Sequence, residues 1–412
     1  MPMTIQQTAV AGKRVFLRAD FNVPQDDTGG ITDDRRIRLT VPTIESVLDR
    51  GGSLVMASHL GRPQGIGFEA EYSVACVAEA LRRLSPKLAR LTLVGSRCTD
   101  ADAERAAEAL RPGEAILLEN LRFEKGEKKG DAALALKLAS YADIYCNDAF
   151  GASHRSDASM LALPRAMRAQ GKPCVAGLLL MREIQYLQGV LDAPQRPFVA
   201  IIGGAKVSDK LAALRNLCGR VDTILIGGAM AYTFLRAQGI TTGKSLVQAD
   251  MIDEARATLR LAREKGTCIE LPSDHVCGRA LEAGTPTCVQ DGAIDDGWMG
   301  LDIGPASTAR FTDVLHAART IIWNGPVGAF ETAPFERGTF ALAQAAAEAT
   351  RAGATSVAGG GDTASAVEAA SVADSFSHIS TGGGASLEML EGKSFECLAA
   401  LDSSPTAEAV RV

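Results

Sequence analysis

The sequence predicts an α/β protein whose parallel sheets are flanked by helices. Three observations carry this. Short apolar runs, many of them β-branched, recur along the chain. Each ends in a cluster of glycine or of polar and basic residues, and in the back half a helical pattern follows. Strands alternating with helices build parallel sheets with helices on both faces. At roughly 150 residues per domain, 412 residues allow two or three domains.

The back half shows the pattern most plainly. Residues 198–202 (FVAII) predict a strand, Gly203-Gly204-Ala205 a turn and 209–217 a helix. Residues 223–226 run into Gly227-Gly228, then a helix over 229–238. Residues 320–323 run into Asn324-Gly325-Pro326. Residues 354–358 lead to Gly359-Gly360-Gly361 and a helix over 362–370; 377–380 lead to Gly382-Gly383-Gly384 and a helix over 385–390. In the front half, strands at 14–18, 53–57, 115–118 and 144–146 end in ADFN, SHLGR, ENLR and NDAFG. A linker-like stretch at 170–173 and an amphipathic helix over 178–190 predict a boundary: a first domain of 1–170, a linker and interdomain helix at 171–197, a second domain of 198–395, and a tail of 396–412.

Composition narrows the function. Apolar residues form 46% and charged residues 22%, which excludes a mainly disordered or collagen-like chain. A net charge of −6 argues against a general binder of nucleic acid or anionic membranes. No apolar run reaches the roughly 18 residues of a membrane span, and residues 1–8 carry no apolar signal core, so a cytoplasmic location is expected. The nine cysteines are odd in number and scattered without C-x-x-C, which argues against a disulfide framework or a zinc site. Glycine is in excess, at 41 residues.

Ligands of such sheets bind beyond the carboxyl ends of the strands. In the front half those ends carry Asp20, Asn22, Arg36, His59, Arg62, Arg122, His154 and Arg155. Guanidinium groups hold phosphate and carboxylate in bidentate fashion, so the set suits a small, multiply anionic, hydroxylated ligand. In the back half the ends carry glycine, which lets a phosphate approach backbone N–H groups and helix N-termini. Lys206 and Lys210 lie beside the first glycine pair, and Asp362-Thr363 opens a helix after three glycines, where Asp362 is placed to cap the helix or touch a phosphate-bound Mg²⁺. A P-loop is absent, because Gly243-Lys244-Ser245 has Gln238 where the first glycine is needed. A dehydrogenase would need a G-x-G-x-x-G after a strand, and there is none. A non-catalytic two-lobed sensor of a phosphorylated metabolite would keep the arginines but has no use for the lysine and glycine loops.

Eleven segments resemble the phosphoglycerate kinase family, in family order: RADFNVP (18–24), DRRIR (34–38), SHLGRP (58–63), ENLRF (119–123), NDAFGASHR (147–155), GGAKVSDK (203–210), GGAMAYTF (227–234), WMGLDIGP (298–305), WNGPVGAFE (323–331), GGGDTA (359–364) and STGGGASLEMLEGK (380–393). The resemblance implies two Rossmann-like domains joined by a hinge helix, a monomer, and reversible phosphoryl transfer from 1,3-bisphosphoglycerate to ADP, giving 3-phosphoglycerate and MgATP. It implies that Asp20, Asn22, Arg36, His59, Arg62, Arg122 and Arg155 bind the glycerate, with His154 in the same basic motif. It implies that Lys206, Lys210, Gly227, Gly228, Gly300, Asn324, Pro326, Glu331, Gly360, Gly361, Asp362 and Thr363 bind nucleotide. Arg36, Lys206 and the N–H groups near Gly361 and Gly384 are then expected to act on the transferring group, with Asp362 touching Mg²⁺. Substrates on separate domains imply hinge closure about 171–197. The tail lacks the leucine-proline-glycine element common near the family's end, where the family's tail returns to the front domain.

Overall fold

A computed structural model describes residues 1–403 of the chain. The chain forms two compact units, one of residues 1–183 with the segment from 394 onward, the other of residues 184–393. The division falls inside the helix Leu178–Asp192.

The first unit is built on six strands: β1 (Arg14–Ala19), β2 (Ser53–Ala57), β3 (Thr92–Val94), β4 (Ala115–Leu118), β5 (Ile144–Asp148) and β6 (Cys174–Ala176). They lie in the order β3-β4-β2-β1-β5-β6, and every pairing is parallel. The central strands are buried along almost their whole length, as strands covered on both faces must be. Val15, Leu17 and Ala19 of β1 point to one face and join a core with Ile37, Ile44 and Val47 of the helix Arg35–Asp49. Arg14, Phe16 and Arg18 point to the other face, where Phe16 stacks on Tyr145 at 6.3 Å.

The end of the described chain belongs to this unit. Phe395 packs on Phe150 with ring centroids 6.3 Å apart, and the Cys397 thiol donates to the Ser153 carbonyl at 2.6 Å. The Asp402 N–H donates to the Cys174 carbonyl, and its own carbonyl accepts from Met3. The rest of the expected tail, residues 404–412, lies outside the described residues.

The second unit holds β7 (Phe198–Ile202), β8 (Thr223–Ile226), β9 (Cys268–Glu270), β13 (Thr320–Asn324), β14 (Thr355–Gly359) and β15 (His378–Ile379) in one parallel sheet, ordered β15-β14-β13-β7-β8-β9. Trp323, Phe311, Leu342 and Phe376 lie in its core. The sequence pattern gave no sign of a third sheet. It is antiparallel, with β10 (Asp274–Gly278) between β11 (Thr287–Asp291) and β12 (Met299–Ile303). Among the described residues, no helix is long and apolar enough to cross a membrane.

Candidate active site

In the first unit, β4, β2, β1 and β5 are immediate neighbours, so the residues beyond their carboxyl ends converge. Asp20 follows β1 and is nearly buried; Arg36 Nη1 lies 3.3 Å from its Oδ2. Arg36 sits in the first turn of the helix Arg35–Asp49, and its Nη1 also donates to the Asn22 carbonyl at 2.9 Å. The Asn22 side chain accepts from the Gly61 N–H at 2.8 Å, and the Gly61 carbonyl accepts from Arg122 Nη1 at 2.6 Å. Arg62, next to Gly61, is exposed. Arg155 Nη1 lies 3.4 Å from His59 Nε2, and its Nε points at His154 Nε2 at 3.4 Å. Six of the seven expected glycerate ligands thus lie within one connected cluster, and Arg62 stands at its rim.

The electrostatics are those of an anion site. Burial pushes the Asp20 carboxyl upward, but Arg36, His59, Arg18 and the Asn22 N–H outweigh it and hold its pKa below the ordinary 3.8. Burial drives His59 well below 6.5; Asp20 opposes this, while Arg18, Arg122 and Arg155 add to it. The net effect favours the uncharged imidazole. Burial lowers the Arg122 pKa, and Arg155 beside it lowers it further. Arg122 Nε is buried without a hydrogen-bond partner. A buried donor of that kind calls for an acceptor, which an anionic ligand supplies.

Sequence reasoning did not single out Arg18, although it opens the segment RADFNVP. It is fully buried, and its Nη2 lies 3.3 Å from His59 Nδ1. The available signal was a second arginine at the carboxyl end of a strand whose middle is apolar.

In the second unit, the loops after β7, β8 and β13 are stitched together. Gly203 N–H donates to Asn324 O, Gly204 N–H to Pro326 O, and Gly228 N–H to Val327 O. Beside them opens a cavity of about 450 Å³, a size suited to a small molecule. Five expected nucleotide ligands line it: Gly228, Gly300, Pro326, Glu331 and Asp362. Its apolar wall, Leu246, Leu281, Met299, Leu301 and Phe330, was not legible from sequence pattern. Leu246 and Leu281 are 55% and 57% exposed, which suits them to covering a planar group.

The remaining candidates lie around the cavity. The helices Gly361–Ala369 and Gly383–Leu390 bring their N-termini together: a Cβ on Gly383 would lie 3.5 Å from the Gly361 nitrogen. Free N–H groups and the positive ends of two helix dipoles then face one place. Gly360 caps the first helix and Gly384 lies in the first turn of the second. Lys206 is exposed on the loop after β7. Lys210 Nζ donates to Asn324 Oδ1; burial lowers its pKa, opposed by Asp362, Asp209 and Glu391. Three more candidates are engaged within the protein. Asn324 Nδ2 donates to Gly359 O at 2.9 Å. The buried Thr363 hydroxyl donates to the same carbonyl at 2.8 Å and accepts from Gly325 N–H at 2.7 Å. Gly227 faces Val327, whose Cβ lies 2.4 Å from where a side chain would begin.

Among the described residues, no three His, Cys, Asp or Glu side chains are grouped to hold a metal ion. Asp362 lies on the cavity wall at the start of the helix Gly361–Ala369. One carboxylate suits a Mg²⁺ that arrives on phosphate oxygens.

A phosphoglycerate kinase family model matches residues 5–393. The chain is 49% identical over 404 residues to the phosphoglycerate kinase of Rhodopirellula baltica, covering 97% of this chain and 99% of the relative. It is 45% identical over 402 residues to the cytosolic phosphoglycerate kinase of Triticum aestivum, covering 97% and 98%. The solved phosphoglycerate kinase of Coxiella burnetii superposes with a TM-score of 0.87 at 38% identity, over 97% of this chain and 98% of that one. That of Pyrococcus horikoshii gives 0.82 at 29% identity over the same shares. Sequence and fold agree along almost the whole length: this chain belongs to the phosphoglycerate kinase family.

Proposed function

We propose that the chain carries out its family's reaction, reversible phosphoryl transfer between 1,3-bisphosphoglycerate and ADP, with the basic cluster of the first unit holding the glycerate and the cavity of the second holding the nucleotide. The observation that carries this reading is the cluster itself. Arg36 pairs with the buried carboxylate Asp20, Arg18, Arg122 and Arg155 gather around the buried His59 beside it, and Arg122 carries a buried donor without a partner.

In the direction of ATP use, the attacking group is the carboxylate of 3-phosphoglycerate. Its pKa is near 4, so it is ionised at neutral pH and needs no general base. A neutral His59 fits that chemistry. What the reaction asks of the protein is alignment and charge stabilisation. Arg36 acts on the transferring group or the carboxylate, and Lys206 on the transferring phosphoryl. The N–H groups near Gly361 and Gly384 complete the cradle for the phosphate oxygens. Glu331 and the apolar wall hold the nucleoside. Asp362 would hold a Mg²⁺ that arrives with the nucleotide, and the ion would supply neutralisation of phosphate charge there. Direct transfer also requires the two ligands to meet with water excluded, so the proposal includes closure about the segment 171–197.

A coupled assay with 3-phosphoglycerate and MgATP tests the reading. Turnover is expected; binding of both ligands without turnover would leave a metabolite sensor instead. X-ray scattering with both substrates bound should show compaction.

A further inference from the structure

Behind the glycerate cluster Arg18 heads a row of buried polar groups, and its partners Ser159 and Glu127 have no part in the chemistry described above. Arg18, Ser159 and Glu127 are all fully buried. Arg18 Nε donates to Ser159 Oγ at 2.8 Å, and Ser159 Oγ donates to Glu127 Oε1 at 2.5 Å. The Ser159 N–H donates to Glu127 Oε2 at 3.0 Å. Tyr145 fixes the same turn by donating its hydroxyl to the Ser159 carbonyl at 2.9 Å. Burying a guanidinium and a carboxyl on either side of one serine costs desolvation, so their presence here asks for another reason.

That reason lies at the far end of the row. Arg18 Nη2 lies 3.3 Å from His59 Nδ1, while Arg155 Nη1 lies 3.4 Å from His59 Nε2. A neutral imidazole has a single acceptor nitrogen, so both guanidinium groups cannot donate to it. Asp20 Oδ1, at 3.9 Å from Nδ1, is beyond hydrogen-bond reach. Arg18 is locked from behind by Ser159, which Glu127 fixes at two atoms. Among the described residues no carboxylate ties Arg155 in this way, and an anion can draw it off.

We propose that Ser159 and Glu127 are positioning residues that, through Arg18, hold His59 in the tautomer with Nδ1 as acceptor and Nε2–H as a donor to the bound glycerate anion. This rests on the basic cluster being the glycerate site. The groups facing His59 are Asp20, Arg18, Arg122 and Arg155.

The test uses the full-length protein. Imidazole nitrogen NMR, with His59 assigned by loss of its signals in His59→Gln, reads the tautomer. Calorimetry with 3-phosphoglycerate and, separately, ADP reads binding. In the wild type, Nε2 should carry the proton. Ser159→Ala should shift the His59 nitrogens toward a mixture and weaken 3-phosphoglycerate binding about tenfold, the scale of one charge-assisted hydrogen bond. ADP affinity should stay within about twofold, and Ser159→Thr should restore both readouts. If Ser159→Ala does not fold, Glu127→Gln retains the volume and must move the same His59 signals. A wild-type Nδ1–H tautomer overturns the proposal. So does a folded Ser159→Ala protein with unmoved His59 signals and unchanged 3-phosphoglycerate affinity. Wild-type protein that fails to bind 3-phosphoglycerate refutes the site assignment instead.

Discussion

Gly383→Ala separates a glycine kept for a ligand from one kept for packing. The new Cβ would lie 3.5 Å from the Gly361 nitrogen and 3.7 Å from the Gly360 Cα, ordinary van der Waals distances. Gly383 is the first residue of the helix Gly383–Leu390. Alanine there favours the folded state by roughly 0.5–1 kcal/mol over glycine. In a unit of this size that is a rise of about 1–4 °C in melting temperature. The methyl would stand over the Gly361 N–H, at the joint mouth of the two helix N-termini. Losing one preorganised donor to an oxyanion costs about 10²–10³ in rate, roughly 2.7–4 kcal/mol of transition-state stabilisation. The expected enzyme is therefore folded and no less heat-stable, with kcat/KM for MgATP down by about a hundredfold or more. The coupled assay gives the rate and calorimetry the melting temperature. Turnover within a few-fold of wild type would refute the phosphate cradle at these two helix ends, and a large drop in melting temperature would refute the packing argument.

Three further outcomes are expected. In Gly227→Ala the Cβ would fall 2.4 Å from the Val327 Cβ, which is buried; overpacking should cost about 1–3 kcal/mol, read as a lower denaturation midpoint. Arg36→Ala and Lys206→Ala should each lower kcat by at least about a hundredfold, and near-wild-type turnover in either would remove the role given to it. The depressed pKa of buried His59 also ties stability to pH. Below the ordinary pKa of 6.5 the unfolded chain takes up a proton that the folded chain refuses, so this contribution is lost as pH falls from 6.5 toward the lower folded value. The slope reaches about 1.4 kcal/mol per pH unit, and His59→Gln should flatten that part of a denaturation-against-pH curve.

Much of the architecture was legible because long strands with strand-end clusters leave a strong local pattern. The strand expected over 198–202 is β7 to the residue, and those at 53–57 and 115–118 are β2 and β4. Several of the strands that went unseen are short or half-exposed. β3, β6 and β9 have three residues each, too few for a periodicity. β11 alternates between exposed and half-buried positions, so its apolar signal is faint, and the antiparallel sheet that carries Met299, Gly300 and Leu301 to the cavity of the second unit was missed with it.

Glycine shows where sequence reading stops. The excess at strand ends suggested phosphates against bare backbone, and the structure divides those residues by what each faces. At Gly203 a Cβ would sit 2.1 Å from Pro326 O, and at Gly300 it would sit 2.0 Å from Tyr232 Oη. These positions are glycine because one loop or side chain presses on another. At Gly361 nothing lies within 4 Å, which leaves room for a ligand. The sequence by itself determined the fold class, the family and the residue types at each strand end, because these follow from local pattern and order along the chain. Only the tertiary structure decided which glycines face a neighbour and which face open space, and that a buried arginine in β1 reaches His59. Those facts depend on distances between segments far apart in sequence, and close packing, not local pattern, fixes such distances.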